Sequence, residues 1–440
     1  MTESSLAIVP RLRLSQVFTR GSLVAALVTA ALGVFSTLWK MSCTGGPVQD
    51  FGVTTLGLRA YGSRLCYSDL LVLWQYRELA DHAVPYAGSF TADGQITGGV
   101  IEYPVLGGFF LWLTALPAQT DTVFILTTGV ALTIAAAVAT ILLYTLTGPR
   151  AYLWAAAPAI AIYTAYNIDI LPALASIVAF AIILWPGSQG SPLRRAYLAA
   201  AVLGLGGALK IYPLLFALPI ALWAAVAVSA GGQIRIEWKH VVGVLATAAG
   251  VMILINIPFA LASLDGWLAS FRFQSVRRID DNSMALWWWI PHLLGYDVAD
   301  RTAELTIVAT AATALALVGI TIYGLRRARN DGQFPWLQVS ASFLVAFMLL
   351  NKVNSPQYLL WLLPFFVLLA VRIRWVIAYF VVDIAIFFGY FRPFLLWSEG
   401  QDATGLGTLL ALGILLRAAL LAYFGVAFLR AAPAIVPWKA

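Results

Sequence analysis

The sequence predicts an all-α polytopic membrane protein, and three observations carry that prediction. Apolar residues make up 61% of the chain, mean hydropathy is +0.86 and charged residues are only 11%, roughly half the share usual in a soluble domain. Apolar runs close to the roughly 20 residues that cross a bilayer recur from one end of the chain to the other. Between them the basic residues stand in short clusters, the arrangement expected of cytoplasmic loops. The recurrence excludes a soluble domain with unusually apolar core helices. The net charge of +7 is dispersed among those loops, which argues against a nucleic-acid surface.

In chain order, Gly21–Trp39 reads as a first spanning helix without a signal-peptidase site, and Arg11, Arg13 and Arg20 on its flank place the N-terminus in the cytoplasm. Residues 40–99 then form a first extracytoplasmic loop holding both cysteines, Cys43 and Cys66. Their shared oxidising side permits a disulfide without establishing one. Within this loop "SDLLVLWQYRELADH" is amphipathic and predicts a helix on the outer membrane surface, with Leu70, Leu73 and Trp74 toward the apolar side. The stretch from Pro104 to Pro117 fits a full span, a re-entrant segment or a surface helix.

Further spans are expected near 122–146, 151–166, 169–185, 197–209, 211–229, 240–262, 303–324, 336–350, 356–371, 375–395 and 405–429. The total is about 11 to 13 transmembrane helices, several short enough to require tilting or breaks. A second large outer loop covers 263–302, and the whole of 1–440 reads as one membrane domain. Orientation follows from charge: the loops with Arg194 and Arg195, Arg235 and Lys239, Arg326, Arg327 and Arg329, and Arg372 and Arg374 face the cytoplasm. The segment between the first two must then cross twice, turning outside near Lys210, where "KIYP" supplies a helix-breaking proline.

With that topology the unusual polar groups collect on the outer side. They are Asp69 in "CYSDL", Glu102 in "IEYP", Asn167 and Asp169 in "YNIDILPA", Lys210 in "LKIYP", Arg272, Arg277 and Arg278 in the second loop, and Lys352 and Gln357 in "NKVNSPQYLLWLLPF". Charges near membrane depth are costly and normally line a site or pair with one another. Each has a plainer alternative. Asp169 fits a helix cap, as does Asp69 or its neighbour Ser68; Lys210 fits a snorkelling lysine; the arginines fit lipid headgroups. Trp287, Trp288 and Trp289 fit an interfacial belt better than a sugar platform, and His292 has no neighbouring ligand pattern for a metal.

Taken in order, "CYSDLLVLW", Pro85-Tyr86, "EYPVLGG", "YNIDILPALA", "LKIYPLLFALP", the arginine-bearing loop before "SMALWWW" and "NKVNSPQYLLWLLPF" resemble the polytopic GT-C glycosyltransferases of family 87. The resemblance runs from about Leu56 to Phe365. It implies a bacterial plasma-membrane enzyme of GT-C architecture, with surface helices of the first loop roofing an outer cavity. The implied activity resembles that of an alpha-1,2-mannosyltransferase, which moves mannose from a polyprenyl-phosphate donor onto phosphatidylinositol mannosides. It also implies that Asp69 is the catalytic base, although a longer approach from the first helix than the family usually shows keeps Glu102 as a reserve.

In this scheme Arg277, Arg278 and Lys352, backed by Lys210 and Arg272, stabilise the departing phosphate, while Asn167, Asp169, Glu102 and Gln357 orient sugar hydroxyls. Tyr103 and Tyr212, which follow Glu102 and Lys210 in their motifs, complete the substrate-binding set. The partners are then a polyprenyl-phosphate sugar, a lipid-linked glycan acceptor and membrane lipid. No cofactor is required: there is no DxD pair for a nucleotide-sugar metal, and adjacent Asp280 and Asp281 do not by themselves indicate a divalent ion. An arabinofuranosyltransferase is the alternative within the same class, and a transporter the alternative outside it.

Overall fold

Helices dominate because capped, apolar segments leave the backbone no other way to satisfy its hydrogen bonds within lipid. The computed structural model describes residues 17–45, 55–92, 95–185, 191–229 and 231–436; Arg11 and Arg13 lie outside them. Thr19 caps the helix Arg20–Met41 through a bond from the Ser22 amide, and Thr120 caps Asp121–Thr147 through the Val123 amide. These two pack closely through small residues. A side chain at Gly33 would strike Thr133, one at Gly129 would strike Thr37, and Thr29 meets Thr140 hydroxyl to hydroxyl at 2.7 Å.

Among the described residues six helical segments are long and apolar enough to cross a membrane: Arg20–Met41, Asp121–Ala155, Trp238–Ala262, Thr302–Asp331, Ile373–Ser398 and Thr404–Arg430. Five shorter apolar helices accompany them, among the short or broken spans expected from hydropathy. The remaining apolar segments are short and enclosed. Leu359–Leu368 is buried at every residue, so it meets other helices rather than lipid. A helix in that position that opens on a polar cavity need not match the bilayer thickness.

Breaks fall where the chain cannot donate a bond. The expected span at 151–166 is a 3-10 turn at Gly148–Ala151 followed by short helices Tyr152–Ala155 and Pro158–Tyr163, interrupted around Pro149 and Pro158. The expected span at 211–229 begins as a 3-10 turn at Tyr212–Phe216, continues as Ala217–Ala225 and ends in a strand, Val226–Val228, paired antiparallel with Ile234–Ile236. This hairpin and a smaller one, Ser89–Phe90 with Ile96–Thr97, interrupt the otherwise helical architecture. Val105–Ala115 has 11 residues, about 16 Å of helix, too short for a perpendicular crossing. The helix Asp69–Tyr76 also departs from expectation. Its Leu70, Leu71, Leu73 and Trp74 are buried, with Trp74 stacked 5.0 Å from Phe124, so its apolar side faces protein.

Successive helices alternate in direction, and this separates the bundle into two ends. At one end Arg150 donates to the carbonyls of Phe366, Val367 and Leu369, Arg195 to Ile183, and Gln338 to Ala431. These bonds satisfy carbonyls that helix termini leave free. The opposite end gathers Cys43, Asp69, Asp169, Lys210 and the segment after Leu350. Lys210 closes the helix Pro192–Leu209 at this end, where the charge-derived topology placed its turn.

Candidate active site

A cavity of about 470 Å³ is lined by Asp69, Glu102, Tyr103, Asn167, Lys210, Arg277 and Gln357, among others. Ser68, not Asp69, caps Asp69–Tyr76: its Oγ accepts from the Leu70 amide while donating to the carbonyls of Ala165 and Tyr166. The cap therefore pins the helix start to the Tyr166–Asn167 segment and leaves the next carboxylate free for the cavity. Cys43 and Cys66 form a disulfide that ties the end of the first spanning helix to the same short stretch.

Asp69 Oδ2 accepts from Asn167 Nδ2 at 2.6 Å and from Gln357 Nε2 at 3.4 Å. Asn167 in turn donates to the Tyr103 hydroxyl at 2.7 Å. Burial raises the Asp69 pKa to about 6, against the opposing pull of the Asn167 bond, the Lys210 charge and a bond from Tyr67. Burial, together with the charge of Asp69, pushes the hydroxyls of Tyr67 and Tyr103 well above their ordinary pKa, so both remain neutral donors.

Asp169 is held differently. Its side chain makes no helix cap; it is fully buried, and Oδ1 accepts from Lys210 Nζ and from Trp361 Nε1, each at 2.7 Å. The Lys210 ammonium also lies 5.0 Å from the centre of the Tyr103 ring, so it is neither snorkelling nor unpaired. Trp361 is sandwiched between Tyr358, 3.7 Å away, and Tyr212, 4.0 Å away. Tyr212 thus supports the wall from behind and is not among the residues that line the cavity.

The remaining expected groups divide. Glu102 lines the cavity and pairs at 2.6 Å with Arg77, which sequence reasoning missed because it resembled a solvated helix face. Arg277 lines the cavity, whereas Arg272 and Arg278 are exposed and do not line it. Lys352 is not in the lining either. Its Nζ donates to the carbonyls of Gln274 at 3.3 Å and Arg277 at 3.2 Å, an alternative use for a cation beside a helix C-terminus; burial lowers its pKa, as does Arg277. The three tryptophans also lie away from the cavity, with Trp287 bonded to the Leu350 carbonyl and Trp288 stacked on His292. Asp280 accepts from the Ser283 amide. No group of three or more His, Cys, Asp or Glu is gathered to hold a metal ion among the described residues.

Lys40, Asp383 and Arg417 are among the buried charges that escaped sequence reasoning. Lys40 makes no hydrogen bond and lies against the Trp39, Tyr166 and Phe387 rings, behind the cavity wall. Asp383 accepts from Tyr163 at 2.8 Å, and Arg417 donates to the carbonyls of Met284 and Asn354. "VVDIAIFF" and "LLRAALL" each carried the signal, a lone charge within an apolar run.

An all-helical polytopic membrane protein with a polar, aromatic-walled cavity at one end of the bundle is of the GT-C type. The family described as Mannosyltransferase (PIG-M) matches residues 167–398, just over half of the chain, and the chain belongs to it. GPI mannosyltransferase 1 of Trypanosoma brucei brucei is 29% identical over 189 residues, which cover 39% of this chain and 40% of that protein. The similarity therefore spans less than half of the curated relative. No solved structure matches. Asn167, Asp169, Lys210, Arg277 and Gln357 fall inside the family segment; Asp69 and Glu102 precede it.

Proposed function

We propose that this chain is a glycosyltransferase that moves a sugar, with mannose the favoured one, from a polyprenyl-phosphate donor to a hydroxyl of a lipid-linked glycan. Family membership supports the mannosyl class, and the motifs favour a phosphatidylinositol mannoside or related acceptor within it. The observation that carries the mechanism is a carboxylate with a raised pKa, held by uncharged amides, in a cavity that Arg277 also lines.

Asp69 takes the proton from the acceptor hydroxyl as that oxygen attacks the anomeric carbon. The bond from that carbon to the phosphate oxygen breaks, and the electron pair leaves with polyprenyl phosphate. One displacement inverts a beta-linked donor to an alpha product. The leaving oxygen needs no general acid, unlike the poor leaving groups that hydrolytic glycosidases protonate. Arg277 lies in the wall able to face the developing phosphate charge. Lys210, already paired with Asp169, contributes its field to Asp69. Asn167 and Gln357 fix the base, while Glu102 and Tyr103 line the space for sugar hydroxyls.

The cavity end is the extracytoplasmic face in this proposal. The basic loops at the opposite end and the Cys43–Cys66 bond both support that orientation.

The test is transfer by purified protein reconstituted with polyprenyl-phosphate-mannose or polyprenyl-phosphate-arabinose and extracted glycolipid acceptors, followed by mass. A hexose gain that vanishes in Asp69→Asn is expected. A pentose gain redirects the donor to arabinofuranose, and no gain with either donor from folded protein overturns the enzymatic reading.

A further inference from the structure

Arg417 is a buried charge that the proposed chemistry leaves unused. It lies within the spanning helix Thr404–Arg430 and is only 2% exposed. A guanidinium there is unfavourable without partners, and its partners are informative. Its Nη2 donates to the Met284 carbonyl at 3.1 Å and the Asn354 carbonyl at 2.8 Å.

Those carbonyls belong to separate loops, and both loops reach the cavity. Asn282 and Met284 line it from one, Ser355 and Gln357 from the other. The loops touch directly through the Asn354 amide and the Ser283 carbonyl at 2.8 Å. Met284 adopts φ +46°, a left-handed conformation unfavourable for a side chain of its kind. Its carbonyl is one of the two that the guanidinium grips, so the bond holds the chain where local preference would release it. On the neighbouring helix Ile373–Phe391, Asp383 is also buried and accepts from the Tyr163 hydroxyl.

We propose that Arg417 is a positioning residue for transfer: from inside the bundle it latches residues 281–285 and 351–356 into one wall, and that wall presents Gln357 to Asp69. The guanidinium suits the task because one planar group can donate to two carbonyls in a fixed geometry. An ammonium keeps the charge but not the fork. The proposal rests on Asp69 being the base, because the latch acts by keeping Gln357 in contact with it.

The experiment compares wild type, Arg417→Lys and Arg417→Met in lipid nanodiscs. It measures kcat and KM for transfer, thermal unfolding, and hydrogen exchange of the amides in 281–285. Arg417→Lys is expected to remain folded and to lose about tenfold in kcat with KM changing much less, and Arg417→Met to lose about a hundredfold, the range a small misplacement of reacting groups produces. Amides 281–285 should exchange faster in both. Should Arg417→Met fail to fold, the lysine variant carries the test.

Wild-type kinetics and wild-type exchange in Arg417→Lys overturn the latch, as does a lower unfolding temperature with kinetics unchanged. Failure of the function itself is separate, because it appears as absent transfer in wild type. In that event exchange in 281–285 still decides the latch: faster exchange in the variants supports it and unchanged exchange overturns it.

Discussion

Asp69 and Asp169 stand in the same end of the bundle on either side of Asn167, yet their surroundings differ. Asp169 is fully buried and shares one oxygen between an ammonium and an indole. Asp69 is half-buried and is held by the side-chain amides of Asn167 and Gln357. An ammonium in direct contact occupies the carboxylate oxygen that would otherwise be free for chemistry. Uncharged donors orient a carboxylate while leaving it able to accept a proton near neutral pH. Proximity to the cavity is therefore a poor guide to chemical role; the charge of the nearest donor is a better one.

The comparison breaks most sharply if the roles are exchanged. Asp69→Asn is expected to reduce transfer by about a thousandfold, within the range for general bases, with folding retained in thermal unfolding. A folded-state pKa raised from 3.8 to about 6 means that folding favours the protonated acid, and that this advantage is lost as pH rises across the interval. Above it, Asp69→Asn should be at least as stable as wild type. A large loss of stability there would assign Asp69 to structure.

Next in size, Lys210→Met leaves Asp169 buried without its ammonium and should destabilise the protein by about 3 kcal/mol, the scale for breaking a buried pair. Adding Asp169→Asn should recover part of that loss in chemical denaturation. If the double variant is no better than the single, Asp169 is not held chiefly by charge.

Arg277→Gln should raise KM for the polyprenyl-phosphate donor about tenfold at constant acceptor, since it removes a charge-assisted contact. An unchanged donor KM would remove Arg277 from the phosphate site. The smallest effect concerns pH. Activity should rise as Asp69 loses its proton near pH 6 and fall below it. Asn167→Ala withdraws a bond that favours the charged form, so the midpoint should move upward by about one unit or less. A downward shift in the kcat/KM profile would contradict the assignment.

Much of this site was legible because charge is rare in the chain. Asp69, Asn167, Asp169, Lys210 and Gln357 stood out against apolar neighbours and converge in the structure. What sequence does not fix is which cation is already engaged. Arg277, Arg278 and Lys352, with Arg272 behind them, read as one set of phosphate cations, but of these four only Arg277 lines the cavity and Lys352 is bonded to carbonyls. Arg77 was missed for the converse reason, since its partner Glu102 lies on another loop. In the fold, hydropathy located apolar segments but not which of them lipid surrounds. Leu359–Leu368 is as apolar as a spanning helix yet wholly enclosed. "VAV" read as the end of a span and "IRI" as part of the basic loop after it, because a strand that short has no periodicity of its own.

The bond between Cys43 and Cys66 sets an order of assembly. Insertion of the first helix brings one sulfur to its place, but the segment leading into Asp69 acquires a covalent anchor only when an oxidant has acted on both thiols. That anchor therefore arrives with thiol oxidation and not with the completion of synthesis. Protein made in a host that cannot oxidise that face of the membrane should contain the helices and lack the full activity.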